Sequence, residues 1–262
     1  MNLREGLKNT QRVVFKVGTS SLTYPNGRLN INKIDILVRV IADLKNRGMD
    51  VVLVSSGAIG VGVGKLGLGE KPKDMPGKQA AAAVGQCELM YLYDKLFSEY
   101  GHVTGQVLLT KDAIEHDDRR TNAHNTFKKL LEMGVVPIVN ENDAVSTEEI
   151  EFGDNDTLSA YVATLCDAEL LVILTDIDGL YNKNPREFTD AQLISQVEEI
   201  TDDILALGGS AGSSRGTGGM ITKLYAARIA SKAGIKTVVC SADEPKDIYR
   251  IFEEEEFGTI FR

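Results

Sequence analysis

Arg12-Val13-Val14-Phe15-Lys16-Val17-Gly18-Thr19-Ser20 is an apolar run broken by one lysine and closed by glycine and two hydroxyls. A strand covered on both faces looks like this, because both rows of side chains meet apolar neighbours and polar alternation disappears. Runs of the same kind recur at Asp50–Val54, Thr104–Leu109, Val135–Asn140, Leu170–Thr175 and Lys236–Cys240. Helical patterns separate them. The first places Ile31, Ile34, Leu37, Val38, Ile41 and Leu44 at helical spacing, with Asn30 at the N-cap and Gly48 as the stop. Similar patterns cover Lys78–Tyr100, Asn122–Met133, Asp156–Cys166 and Gly219–Ala233. Such alternation predicts an α/β fold, an open and mostly parallel sheet with helices on both faces. Ligands of such sheets gather at the carboxyl ends of the strands.

The bulk composition narrows the function. The chain has 262 residues, 43% hydrophobic and 26% charged, with a formal net charge of −9. That charge opposes general attraction to nucleic acid or to an anionic membrane. No apolar run approaches the roughly 20 residues that span a bilayer, and Met1 to Thr10 lacks an apolar signal core. A soluble cytoplasmic protein is expected. Cys87, Cys166 and Cys240 stand far apart, so neither a disulfide framework nor a zinc site is predicted, and Cys166 and Cys240 read as buried small hydrophobes. Two segments read as mobile, Leu207–Gly219 and Asn182–Asp190, and Glu253–Glu256 reads as a solvated helix end.

The residues after the strands carry the chemistry. Lys16 inside a buried strand requires an anion or an open site, unless its strand lies at an edge and the side chain snorkels to water. Ser55-Ser56-Gly57-Ala58 joins a strand to a helix, where free N–H groups suit a carboxylate or phosphate and where glycine equally suits tight packing. Gly62-Val63-Gly64-Lys65-Leu66-Gly67 spells G-x-G-x-x-G but follows no strand directly, so it reads as a decoy. Asn140-Glu141-Asn142-Asp143 and Gly153-Asp154-Asn155-Asp156 are acid-amide clusters able to hold an ammonium, orient a lysine or order magnesium waters. Asp154 or Asp156 is also expected to cap the helix that begins there. Thr175-Asp176 follows another strand, and Gly216-Thr217-Gly218-Gly219-Met220-Ile221-Thr222-Lys223 runs from a glycine-rich loop into a helix. Helix N-terminal amides and one cation converge there, which suits polyphosphate.

The ordered set V-x-F-K-V-G-T-S, S-S-G-A-I, N-E-N-D, F-G-D-N-D-x-L-S-A, T-D-x-x-G-L-Y and G-T-G-G-M-x-T-K closely resembles the amino acid kinase family, in the branch that phosphorylates glutamate and opens proline biosynthesis. The resemblance implies a three-layer αβα sandwich formed as a single domain over 1–262. Its first part, to about residue 168, would hold glutamate, and the part from about 169 would hold ATP, with magnesium as the accompanying ion. Lys16, Lys223 and Asp156 would be catalytic, Asp156 positioning the two lysines. Ser56, Gly57, Asp143 and Asn155 would bind glutamate. Lys16, Thr175, Asp176, Thr217, Gly218, Gly219, Met220, Ile221, Thr222 and Lys223 would bind ATP. No protein metal site is expected. Relatives form dimers and tetramers, and a reductase consuming the acyl phosphate is a natural partner. Many members carry a further C-terminal PUA domain, and this chain stops where that domain would begin. Alternatives are a family member acting on acetylglutamate, aspartate, carbamate or uridylate, or a ligand-binding regulator of the same fold. Asp143 and Asn155 favour a free amino acid over an N-acylated one.

Overall fold

The computed structural model describes residues 2–24, 28–145, 155–209 and 219–262. Its strands are β1 (Arg12–Val17), β2 (Asp50–Ser55), β3 (Thr104–Leu109), β4 (Val136–Glu141), β5 (Leu170–Thr175), β6 (Gln196–Val197), β7 (Lys236–Ser241) and β8 (Thr259–Phe261). The helices are α1 (Thr19–Leu22), α2 (Ile31–Asn46), α3 (Ala58–Leu66), α4 (Met75–Glu99), α5 (Asp112–Glu115), α6 (Asp117–Glu132), α7 (Asn155–Leu165), α8 (Asp202–Gly208), α9 (Met220–Lys232) and α10 (Ile248–Phe252). One sheet holds the strands in the order β3-β4-β2-β1-β5-β7-β8-β6. Every pairing is parallel except β7 with β8.

Successive strand residues point to opposite faces, and the two faces carry separate cores. Val13, Phe15 and Val17 join a core that includes residues of α2, α4 and α10, whereas Val14 joins one built with α6, α7 and α9. The result is the αβα sandwich that the resemblance implied. The same alternation aims the polar residues. Lys16 shares the face of Val14 and so points toward α7 and α9. Asn140 shares the face of Ile138 and Ser55 that of Leu53, both looking toward α4.

The six long strands stand within one residue of their expected bounds. β6 and β8, of two and three residues, were not foreseen. Runs that short show no readable period. Asn30 caps α2 as expected, its side chain accepting from the Lys33 N–H at 3.1 Å. Helix α4 starts earlier than its apolar pattern, at an Asp74 cap that accepts from the Gly77 N–H at 2.8 Å. The stretch Asn182–Asp190, read as mobile, is tied down. The N–H of Asn182 donates to the Gln192 carbonyl and its side chain accepts from the Gln192 N–H, each at 3.0 Å. The other stretch read as mobile begins inside α8, and residues 210–218 lie outside the described residues. Cys166 and Cys240 are buried and Cys87 is exposed. No helix among the described residues is long and apolar enough to cross a membrane.

The G-x-G-x-x-G stretch has a packing role. It falls within α3, and a Cβ on Gly62 would stand 1.8 Å from the Ala81 carbonyl oxygen of α4. Reciprocally, a Cβ on Gly85 would meet the Ala58 oxygen at 1.8 Å. The two helices touch backbone to backbone, and this contact fixes the turn between β2 and α3. We expect Gly85→Ala to destabilise the fold by about 1–3 kcal/mol or more through overpacking. A urea midpoint unchanged from wild type would show that α3 and α4 separate freely.

Candidate active site

The carboxyl ends of β1, β2, β4 and β5 lie along one rim of the sheet, with Val17 level with Ser55, Lys16 with Ile173, and Val54 with Val139. Lys16 is 7% exposed although β1 lies in the middle of the sheet, between β2 and β5. The edge-strand reading is thereby removed. Its ammonium lies 2.5 Å from Oδ1 of Asp156, a residue with no exposed surface. Oδ2 of the same carboxylate is 3.1 Å from the Lys223 ammonium and accepts from the Thr222 hydroxyl at 2.8 Å. Lys223 is 4% exposed. One carboxylate therefore clamps two lysines drawn from β1 and α9. Burial raises the Asp156 pKa, but the fields of Lys16 and then Lys223 outweigh it and hold the carboxyl below the usual range.

Asp156 sits in the first turn of α7, where a capping role was also expected. Its side chain goes to the lysines instead, while its carbonyl accepts from the Ser159 hydroxyl at 2.6 Å. Asp154, the other capping candidate, lies outside the described residues, as do Thr217 and Gly218 of the expected nucleotide loop. The remaining residues of that set divide. Thr175 ends β5, and its hydroxyl donates to Asp176 at 3.3 Å. Asp176 is exposed and 3.8 Å from Arg186. The side chains of Met220 and Ile221 enter or line the core. Their main-chain N–H groups stand in the first turn of α9, where helix amides lack intrahelical partners.

A second polar cluster adjoins the first. Gly57 opens α3 with φ of 100°, a left-handed conformation that suits glycine. Beside it the Ser56 hydroxyl accepts from Nδ2 of Asn155 at 2.9 Å, and the same nitrogen lies 3.1 Å from Oδ1 of Asn140. Oδ1 of Asn155 is buried without a hydrogen-bond partner. A buried acceptor left open among the described residues is suited to a donor from a bound ligand. Asp143 lies on the turn after β4, half-buried, and burial raises its pKa against a smaller opposing pull from Lys71. Consecutive residues of α7 thus serve different clusters, Asn155 facing Ser56 and Asp156 facing the lysines.

Some partners carried no signal in the sequence. Gln86 donates no local motif, yet its Oε1 accepts from Asn140 at 2.9 Å across 54 residues of chain. Tyr93, fully buried in α4, pairs its hydroxyl with that of Ser55 at 2.9 Å. Both come from the middle of an apolar helix, where only the fold reveals what they meet.

A sheet of this topology with two lysines gathered at its rim is the architecture of the amino acid kinase family, whose sequence profile matches residues 11–241. The chain belongs to that family. It is 54% identical over 262 residues to the glutamate 5-kinase of Clostridium acetobutylicum, covering 100% of this chain and 98% of that one. It is 53% identical to the glutamate 5-kinase of Clostridium perfringens, covering 99% and 98%. In fold it resembles the carbamate kinase of Giardia lamblia, with a TM-score of 0.68 at 16% identity over 97% of this chain and 99% of that one.

The electrostatics of Asp143 can be measured directly. We expect its carboxyl to titrate above the ordinary 3.8, and Lys71→Ala to raise it further because the Lys71 field opposes the shift. Carbon NMR of the labelled side chain would read both. A midpoint at or below the ordinary value would place Asp143 in water.

Proposed function

We propose that this chain transfers the γ-phosphoryl group of ATP to the γ-carboxylate of L-glutamate, giving glutamyl 5-phosphate, the entry to proline biosynthesis. The observation that carries the reading is the Asp156 clamp, which holds Lys16 and Lys223 buried at one point of the rim. The close relatives support glutamate as the acceptor. Ser56, Gly57, Asp143 and Asn155 form the glutamate side, from the first part of the chain up to about residue 168. Thr175, Asp176 and the stretch 217–223 form the ATP side in the remainder, and Lys16 reaches between them.

The acceptor is already a carboxylate at neutral pH, so no base has to remove a proton. Catalysis then comes from in-line positioning and from cancelling charge on the transferring group. Lys16 and Lys223 approach from separate elements, and each is held by Asp156 before substrate arrives, so little reorganisation accompanies transfer. Magnesium, the ion that accompanies ATP in this reading, would supply further positive charge at the phosphates. The α-ammonium of glutamate meets Asp143 and the open Oδ1 of Asn155. An N-acetyl group would remove its charge and leave Asp143 unpaired, a strong basis for rejection. The acyl phosphate product is labile, which fits a cytoplasmic reductase as its consumer.

Glutamate-dependent ADP release, with hydroxylamine trapping the product as a hydroxamate, tests the reading. Lys223→Ala should lower kcat on the order of a hundredfold while leaving the glutamate KM near wild type. Preference for N-acetylglutamate would move the chain to a neighbouring branch. A Lys223→Ala variant with kcat within about threefold of wild type, under about 0.7 kcal/mol, would remove the role given to that lysine.

A further inference from the structure

The amide side chains around Asn155 are not free to face either way. The fixed point is the main-chain N–H of Glu141, which can only donate and is 2.9 Å from Oδ1 of Asn140. That contact identifies Oδ1 as the oxygen, so Nδ2 of Asn140 must donate and the atom of Gln86 facing it at 2.9 Å must be the carbonyl oxygen. It also requires the atom that Asn155 turns toward Asn140 to be its nitrogen. One backbone group thus orients three amides. At one end the acceptor Oδ1 of Asn155 is left open. At the other, Nε2 of Gln86 has no hydrogen-bond partner among the described residues, and Gln86 is half-buried.

We propose that Gln86 is a substrate-binding residue, its side-chain NH2 donating to the α-carboxylate of the amino acid, with Asn140 as the positioning residue that turns it. The inference rests on the glutamate reading above and adds a residue to it. Glutamate brings two carboxylates and one ammonium. The γ-carboxylate goes to the lysines, and the ammonium to Asp143 and Asn155, so the α-carboxylate still needs donors. Gln86 supplies them from α4, together with the Ser56 hydroxyl, whose oxygen accepts from Asn155 and leaves its hydrogen to donate outward. The helix crossing makes the reach possible. Gly85 lies in backbone contact with Ala58, which brings α4 against the helix that follows the Ser56-Gly57 turn. The hydrogen bonds from Asn140 to Gln86 and from Asn155 to Asn140 and Ser56 tie Gln86 to that turn. A chain of amides with an acceptor at one end and a donor at the other is complementary to a zwitterion.

The test uses Gln86→Leu and the nearly isosteric Gln86→Glu, which keeps the bond from Asn140 but offers no donor and adds a charge of the wrong sign. Both should raise the glutamate KM about tenfold or more, as expected for losing a hydrogen bond to a charged group. The kcat should stay within about threefold, and the ATP KM and Tm should stay near wild type. Asn140→Asp should reproduce the glutamate defect, because an acceptor in place of Nδ2 turns the Gln86 amide over. A wild-type glutamate KM in Gln86→Glu would overturn the proposal, as would a defect confined to ATP. Should Gln86→Leu fail to fold, Gln86→Glu carries the test alone. Absence of glutamate phosphorylation by the wild type would instead overturn the underlying reading.

Discussion

The structure is organised around one buried carboxylate. Asp156 has no exposed surface, yet it stays ionised because two ammonium groups and a hydroxyl surround it. Each of the three charges would be intolerable alone in that position. Together they lock β1, α7 and α9 to one another, with Lys223 and Asp156 alone 67 residues apart in the chain. The stability contributed by the depressed Asp156 pKa is complete at neutral pH. It is lost as pH falls below the ordinary 3.8 toward the lower native value, since the unfolded chain then binds the proton first.

The clamp also explains the division of labour on α7. Adjacent helical residues point about 100° apart, so Asn155 and Asp156 cannot serve the same partner. One reaches the acid-amide cluster over β2 and β4, the other the lysines over β1. The two clusters thereby meet at a single helix terminus. Behind this rim the backbone contact of α3 with α4 sets the Ser56-Gly57 turn at a fixed distance from β4.

Much of this was legible in the sequence. Continuous apolar runs such as Arg12–Val17 announced a sheet buried on both faces, and the lysine within the first of them pointed to an anion. The role of Asp156 came only from the resemblance, because a carboxylate in a first helical turn reads equally as a cap. Gln86 and Tyr93 were hidden for another reason. Their partners are set by the α3–α4 crossing and by strand register, which no local pattern encodes. The glycines of that crossing were rightly rejected as a nucleotide fingerprint, but their spacing did not reveal which helix they would meet. The short strands β6 and β8 were missed because tertiary pairing, not periodicity, defines them.

The central claim is that the charge of Asp156, and not its shape, assembles the pair of lysines. Asp156→Asn preserves volume and can still accept from Thr222, but it leaves Lys16 and Lys223 facing each other without a counter-ion. Steady-state kinetics on this variant would decide, with Tm followed in parallel. The account predicts a kcat lower by about a hundredfold or more, a reduced Tm, and a glutamate KM close to wild type. A kcat within about threefold of wild type would contradict it.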